Sequence, residues 1–103
     1  MATGSKQAPQ PQFLIAEVSR TGLTFASGSY LYASFKDTNS DIVKDGYTAI
    51  GIVGWKITGT NATLARVNAV YLESSTEARV YMTNTSSSSG SYNVYLHVLY
   101  IKN

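Results

Sequence analysis

The hydrophobic positions of this chain alternate with polar ones or form short apolar runs, and no segment sustains the helical period of about 3.6 residues. Alternation of this kind places successive side chains on opposite faces of a strand. Val, Ile, Tyr and Thr fill many of these segments and favour strands over helices. Six strands are predicted, over residues 13–19, 29–36, 48–57, 66–73, 77–84 and 92–101. This spacing of roughly ten residues predicts an all-β fold, which we interpret as an antiparallel β-sandwich of jelly-roll-like topology.

Three of the predicted strands have clear inner and outer faces. In the first strand, Phe13 and Ile15 fall on one face. Leu14, Ala16 and Val18 fall on the other face. In the second and fifth strands, the side chains expected inside are Leu31, Ala33, Phe35, Ala78, Val80 and Met82. Residues 66–73 and 77–84 are expected to pair as a hairpin across a short polar turn.

The run TAIGIVGWKI, residues 48–57, is apolar on both faces. It therefore predicts a central strand that is covered on both sides. Gly51 and Gly54 within it predict a bulge or the close approach of another backbone. Trp55, the single tryptophan, is expected in the core on the same grounds.

The last predicted strand, residues 92–101, also has two apolar faces. One face holds Tyr92, Val94, Leu96, Val98 and Tyr100, and the other holds Asn93, Tyr95, His97, Leu99 and Ile101. The final strand of a small sandwich would ordinarily have one solvated face. Two interpretations follow: this strand is central in its sheet, or its second face meets another subunit. On the second interpretation, the interface residues are Tyr95, His97, Leu99 and Ile101.

The first twelve residues contain two prolines and no apolar periodicity, so residues 1–12 are interpreted as a flexible leader and residues 13–103 as a single domain. This polar leader is unlike a signal peptide, and no apolar stretch has the length of a membrane span. No membrane insertion is therefore expected.

The composition limits the possible partners and cofactors. Only 14% of the 103 residues are charged and the net charge is +2, with basic residues scattered singly. Nucleic-acid binders gather such residues into a stripe, so no nucleic-acid partner is expected. The chain contains no cysteine, which excludes disulfides and thiolate metal sites. We expect no cofactor.

Catalytic and metal-binding patterns are weak. His97 is the only histidine and lies within a predicted strand, and a packed or hydrogen-bonded histidine is the expected role. Glu73 and Glu77 flank a hairpin turn, where solvent would keep a carboxyl from acting as a proton donor. Residues 37–41 open like a calcium loop, but Ile42 and Thr48 stand where glycine and glutamate are needed. No enzyme activity and no metal site are predicted.

Carbohydrate binding fits the sequence better, because sugars dock on exposed aromatic faces with a few polar groups that set their orientation. The chain has eight tyrosines, and several fall on the outward phase of their strands. The candidate receptor-binding residues are Tyr30, Tyr32, Arg79, Tyr81 and Asn84. Tyrosine is also an ordinary strand residue, which is the alternative reading of the same pattern.

Three segments carry a resemblance to a known family. They are GYTAIGIVGW at residues 46–55, VYMTNTSSSS at residues 80–89 and VYLHVLYIK at residues 94–102. In these segments the chain resembles the C-terminal domains of tail-fibre and minor tail proteins from phages and prophages of gut Firmicutes. The resemblance covers about residues 24–102 and consists of strand and turn residues.

The resemblance implies the distal tip of a fibre in the virion tail, a homotrimer that contacts bacterial cell-surface glycans during host adsorption. Three-fold assembly would also cover the second face of the last strand. Two alternatives remain open: a purely structural trimerisation or capping module, and a monomeric bacterial carbohydrate-binding module. The mass in solution distinguishes the monomeric module from the two fibre hypotheses.

Overall fold

A computed structural model of the chain describes residues 11–36 and 42–103. This part of the chain is built almost entirely of strands. They are β1 (Phe13–Phe25), β2 (Tyr30–Phe35), β3 (Tyr47–Gly59), β4 (Ala65–Ser74), β5 (Glu77–Asn84) and β6 (Gly90–Lys102). A single 3-10 turn, Ala62–Leu64, precedes β4. The prediction of an all-β fold is confirmed.

The strands form two antiparallel sheets of three strands each. The first sheet has the order β1-β6-β3, and the second has the order β2-β5-β4. The predicted hairpin of residues 66–73 and 77–84 is confirmed by the pairing of β4 with β5. β6 pairs with both β1 and β3, so the last strand is central in its sheet. A central position is one of the two interpretations of its two apolar faces.

One hydrophobic core collects side chains from both sheets, which gives a sandwich-like arrangement. Alternate residues of the two central strands point into it: Tyr92, Val94, Leu96, Val98 and Tyr100 from β6, and Ala78, Val80 and Met82 from β5. Ala33 and Phe35 of β2 are also buried, as their phase predicts. Complete burial of a valine, leucine, phenylalanine or methionine side chain contributes about 1.5–3 kcal/mol to stability.

The prediction that residues 48–57 form a central, fully covered strand is wrong. β3 is an edge strand that pairs only with β6, and its register shifts twice, once at Ile50 and once at Val53. Each shift is a bulge, as the two glycines indicated, and it breaks the simple alternation of faces. Ile50, Val53 and Trp55 are therefore about half exposed, at 47%, 53% and 49%. Trp55 is not a core residue.

β1 extends six residues beyond its predicted end at Ser19. The extension passes through a register irregularity between Arg20 and Leu23, where Gly22 has a positive φ of 70°. The Gly22 amide donates to Oδ1 of Asn93 at 3.0 Å. This cross-strand bond between β1 and β6 supports a long strand that alternation alone would have ended early.

Two buried tyrosines fasten chain segments to the core. The Tyr100 hydroxyl donates to the carbonyl of Ile42 at 2.7 Å, and the Tyr92 hydroxyl donates to Oδ1 of Asn84 at 2.9 Å. A buried hydroxyl without a partner would cost stability, so these bonds fix where the loops meet the sheets. Before β1, the carbonyl of Gln12 accepts from the amide of Lys102 at 2.8 Å.

Candidate functional site

The outer face of the second sheet carries a row of three tyrosine rings, one from each strand. Tyr32 of β2 lies opposite Tyr81 of β5, with ring centroids 4.9 Å apart. Tyr71 of β4 stacks on the other side of Tyr81 at 6.2 Å, with an interplanar angle of 13°. All three side chains are exposed, between 36% and 46%. We call these three residues the tyrosine row.

A charged cluster adjoins the tyrosine row. Arg79 donates from Nε to Oε2 of Glu77 at 2.9 Å, and its Nη1 lies 3.1 Å from Oε2 of Glu73. Ser34 Oγ also donates to Oε2 of Glu77, at 2.7 Å. The guanidinium carbon of Arg79 lies 5.7 Å from the centroid of the Tyr32 ring, within cation–π range. The aromatic row and the cluster therefore form one continuous surface.

The contacts within this surface set its protonation. The hydrogen bond from Arg79, followed by that from Ser34, holds the pKa of Glu77 below its ordinary value. The same bond to Glu77, together with the Tyr71 hydroxyl, raises the pKa of Arg79 above its ordinary range. A hydrogen bond shared with Tyr71, and then burial, raises the pKa of Tyr81. At neutral pH the surface holds ionised Arg79 and Glu77 beside the neutral phenol of Tyr81.

Four of the five predicted receptor-binding residues lie on this face. Tyr32 is in contact with both Tyr81 and Arg79. Tyr30 lies two residues before Tyr32 on β2, and 82% of its surface is exposed. Asn84 does not belong to the site, because its side chain is fully buried in the core.

Sequence reasoning missed the place of Tyr71 on this face. The register of the β4–β5 hairpin determines which face Tyr71 lies on. Because β4 is bulged between Leu72 and Ser74, Tyr71 pairs with Arg79. An unbulged hairpin would shift Tyr71 opposite Val80 and turn it towards the core. From the sequence, Glu77 is weighed only as a possible proton donor. Its pairing with Arg79 is visible only in the side-chain contacts of the structure.

The outer face of the first sheet holds the predicted subunit-interface residues. Tyr95, His97, Leu99 and Ile101 all point to this face of β6 and are partly exposed. Phe13 lies opposite Ile101 and Ile15 opposite Leu99, and these two β1 side chains are 54% and 59% exposed. We call Phe13, Ile15, Leu99 and Ile101 the aliphatic strip, although one of its members is aromatic.

Polar contacts occupy the middle of this outer face. His97 Nε2 lies 3.0 Å from Oε2 of Glu17 on the neighbouring strand. Farther along β6, the ammonium group of Lys56 lies 4.7 Å from the centroid of the Tyr95 ring. His97 is therefore a hydrogen-bonded surface histidine whose partner is a carboxylate from β1. The aliphatic strip occupies only the end of the face where β1 begins and β6 ends.

Neither outer face encloses a cavity, and no pocket was found in the described ranges. Residues 11–36 and 42–103 contain no group of three His, Cys, Asp or Glu side chains that could hold a metal ion. The calcium-like segment, residues 37–41, lies outside the described residues. In the same ranges, no helix has the length and apolarity that crossing a membrane requires.

Comparisons with protein-family models, with curated proteins and with solved structures found no match to this chain. The candidate site is therefore interpreted from its own geometry.

Proposed function

We propose that this chain is the distal tail-fibre domain of a bacteriophage or prophage, which binds a glycan receptor on the host surface and trimerises the fibre. The observation that carries the binding part is the tyrosine row. Three exposed aromatic rings beside fixed polar groups are the kind of surface on which sugars dock. In the adjoining cluster, Arg79 favours the ionised form of Glu77, which suits binding better than acid catalysis.

The finer architecture that we propose is a jelly-roll-like antiparallel sandwich. Its support is the nested pairing of the strands: the first pairs with the last and the second with the fifth. The chain changes sheet at each connection except the β4–β5 hairpin. Jelly rolls wind two facing sheets in a related way, with eight strands rather than the six seen here.

The aliphatic strip supports the trimer. An exposed apolar patch of several large side chains on one face is a common mark of a protein–protein contact. The strip lies at the end of the first sheet where β1 begins and β6 ends. Copies packed through this end would present their second sheets outward, so that weak glycan contacts add by avidity. The proposed location is the virion tail, outside the host cell.

A structural trimerisation or capping module is the second candidate, and the aliphatic strip favours it because assembly through the strip needs no ligand. The two candidates differ in what the tyrosine row does. A whole-cell binding assay with wild-type protein, Tyr81→Ala and Tyr81→Phe tests this difference.

For a binding tip, Tyr81→Ala should weaken binding by about tenfold or more, as for other central aromatic contacts. Tyr81→Phe keeps the ring and should bind nearly as wild type. Equal adsorption of all three proteins, or none by the wild type, would leave the capping module as the better explanation.

A further inference from the structure

Arg79, the cation that lies against the tyrosine row, is already paired with carboxylates. Arg79 donates to Glu77 at 2.9 Å and lies 3.1 Å from Glu73, and the two contacts use different nitrogens of the guanidinium group. Oε2 of Glu77 also accepts a hydrogen bond from Ser34 Oγ at 2.7 Å. The Glu77 side chain is only 13% exposed. The Arg79–Glu77 pair is therefore held in place by the fold before any ligand arrives.

An anionic ligand that approached Arg79 would meet two carboxylates of its own sign. At Arg79, its carboxylate or phosphate would compete with Glu73 and Glu77 for the guanidinium group. It would then lie beside carboxylates of the same sign, which costs binding energy. Arranging like charges against one class of ligand is a known source of specificity. A neutral ligand avoids this cost and can donate its hydroxyls to Glu73, which is 43% exposed.

The shape of the surface also limits the ligand. The rings of the tyrosine row succeed one another at 4.9 Å and 6.2 Å across all three strands, and no pocket interrupts the face. A small ligand gains most of its affinity from enclosure in a concave site. A row of neighbouring rings that crosses three strands instead suits a ligand that continues from one ring to the next, such as several linked sugar units.

From this charge pairing and this shape, we propose that the tyrosine row binds an extended neutral polysaccharide and discriminates against acidic ones. The inference rests on the proposed function, because it names the class of glycan that the same face would take. Arg79 acts here as a positioning residue: it holds the two carboxylates beside the rings, and they compete with any anion for its guanidinium group.

The test compares matched ligands on the full chain. A galacturonan fragment and its carboxyl-reduced form, a neutral galactan of equal length and linkage, differ only by a carboxylate on each sugar. Binding is followed by two-dimensional NMR, which detects weak complexes and shows which residues respond. We expect the galactan to shift Tyr81 and its neighbours and to bind at least about tenfold more tightly than the galacturonan. Tyr81→Ala should abolish these shifts.

The variant Glu73→Gln tests the charge argument directly. It removes one carboxylate at an exposed position and frees one side of Arg79, so galacturonan affinity should rise by about two- to fivefold while galactan affinity stays nearly constant. Arg66→Gln is the matched control, because Arg66 lies on the same face opposite Thr83 and does not pair with these carboxylates.

The outcomes are distinguishable. One outcome is that galacturonan binds more tightly than galactan and that Tyr81→Ala or Arg66→Gln abolishes this binding. That outcome would overturn the proposal of a neutral ligand but would leave glycan binding intact. Unchanged galacturonan affinity in Glu73→Gln would also overturn the charge argument. If neither fragment shifts the tyrosine row, and a mixed glycan array finds no ligand that depends on Tyr81, the proposed binding function fails as well.

Discussion

At the scale of single residues, Asn84 shows how strand phase decides a side chain's role. The sequence predicts it as a polar contact for a sugar. Its position, however, has the phase of Val80 and Met82, which point inward. The structure accommodates a buried amide by satisfying it: Asn84 Nδ2 donates to three backbone carbonyls, and Oδ1 accepts from the Tyr92 hydroxyl. The alternation in the sequence already contained this assignment.

Replacing Asn84 should cost more stability than replacing a half-buried asparagine. Asn84→Ala leaves the Tyr92 hydroxyl and several carbonyls without their partner, and we expect a loss of about 2–4 kcal/mol in the free energy of unfolding. Asn93→Ala is the control, since Asn93 bonds to Gly22 and Thr58 at the accessible outer face. Urea denaturation measures both. Equal losses for the two variants would contradict the role assigned to Asn84.

Glu77 should make stability depend on pH in a defined direction. Arg79 first, and Ser34 second, lower the pKa of this carboxyl from 4.5, so the folded state binds its proton less readily than the unfolded state. The contribution is therefore present above about pH 4.5 and is lost as the pH falls through the folded-state pKa. The stability difference between wild type and Glu77→Gln should shrink with acidification.

The measurement is denaturant unfolding at a series of pH values from neutral to strongly acidic. Ser34→Ala should reduce the pH dependence, because it removes the second of the two hydrogen bonds that favour the carboxylate. The wild type and Glu77→Gln could instead differ in unfolding free energy by the same amount at every pH. That result would show that the contacts do not stabilise the Glu77 carboxylate.

At the scale of elements, β3 shows where apolar composition misleads. Its run of apolar residues resembles a buried strand, but two bulges and an edge position leave Ile50, Val53 and Trp55 half exposed. Bulges at an edge disturb the row of free backbone groups, which hinders pairing with another chain. The glycines in the run indicated the bulges, but composition does not determine which strands lie on each side of a segment.

The junction of β3 with β6 makes a glycine prediction possible. Gly59 has φ 117°, and a β-carbon there would lie 2.3 Å from the carbonyl oxygen of Ser91. Gly59→Ala therefore combines backbone strain with a clash against backbone, and should cost at least about 2 kcal/mol. Gly51→Ala in the same strand has open space around its β-carbon and should change stability little. Thermal unfolding of the pair provides the test, and similar melting temperatures would refute this account of the junction.

At the scale of the whole molecule, the two sheets present different outer faces. The second sheet presents the tyrosine row with its charged cluster, and the first presents the aliphatic strip beside the Glu17–His97 pair. The faces lie on opposite sides of one core, so a contact through the first leaves the second accessible. This separation is what allows assembly and ligand binding to be proposed for a chain of 103 residues.

Assembly through the aliphatic strip can be tested by adding a charge. Ile15→Lys places a cation among apolar neighbours in the proposed contact, and we expect the trimer to dissociate to monomers because a buried unpaired charge is costly. Ser19→Lys, on the same strand and face but outside the strip, should remain trimeric. Sedimentation equilibrium at micromolar concentration measures both. A monomeric wild-type chain would rule out the trimer, and with it the fibre hypotheses.

The sequence by itself determined the all-β class, the β4–β5 hairpin and the faces of β2, β5 and β6. These features depend on the alternation of side chains within one strand, which neighbouring residues express directly. The identity of the outer tyrosines Tyr30, Tyr32 and Tyr81 followed from the same alternation.

Only the tertiary structure decided the strand order, the edge position of β3 and the assembly of the tyrosine row. Tyr71 reaches the row because β4 is bulged, and Glu77 is held by Ser34 from another strand. Bulges and cross-strand contacts depend on how distant segments pair, and a one-residue change in register reverses every face beyond it. Local alternation contains no information about that pairing, which is set when both sheets close on a common core.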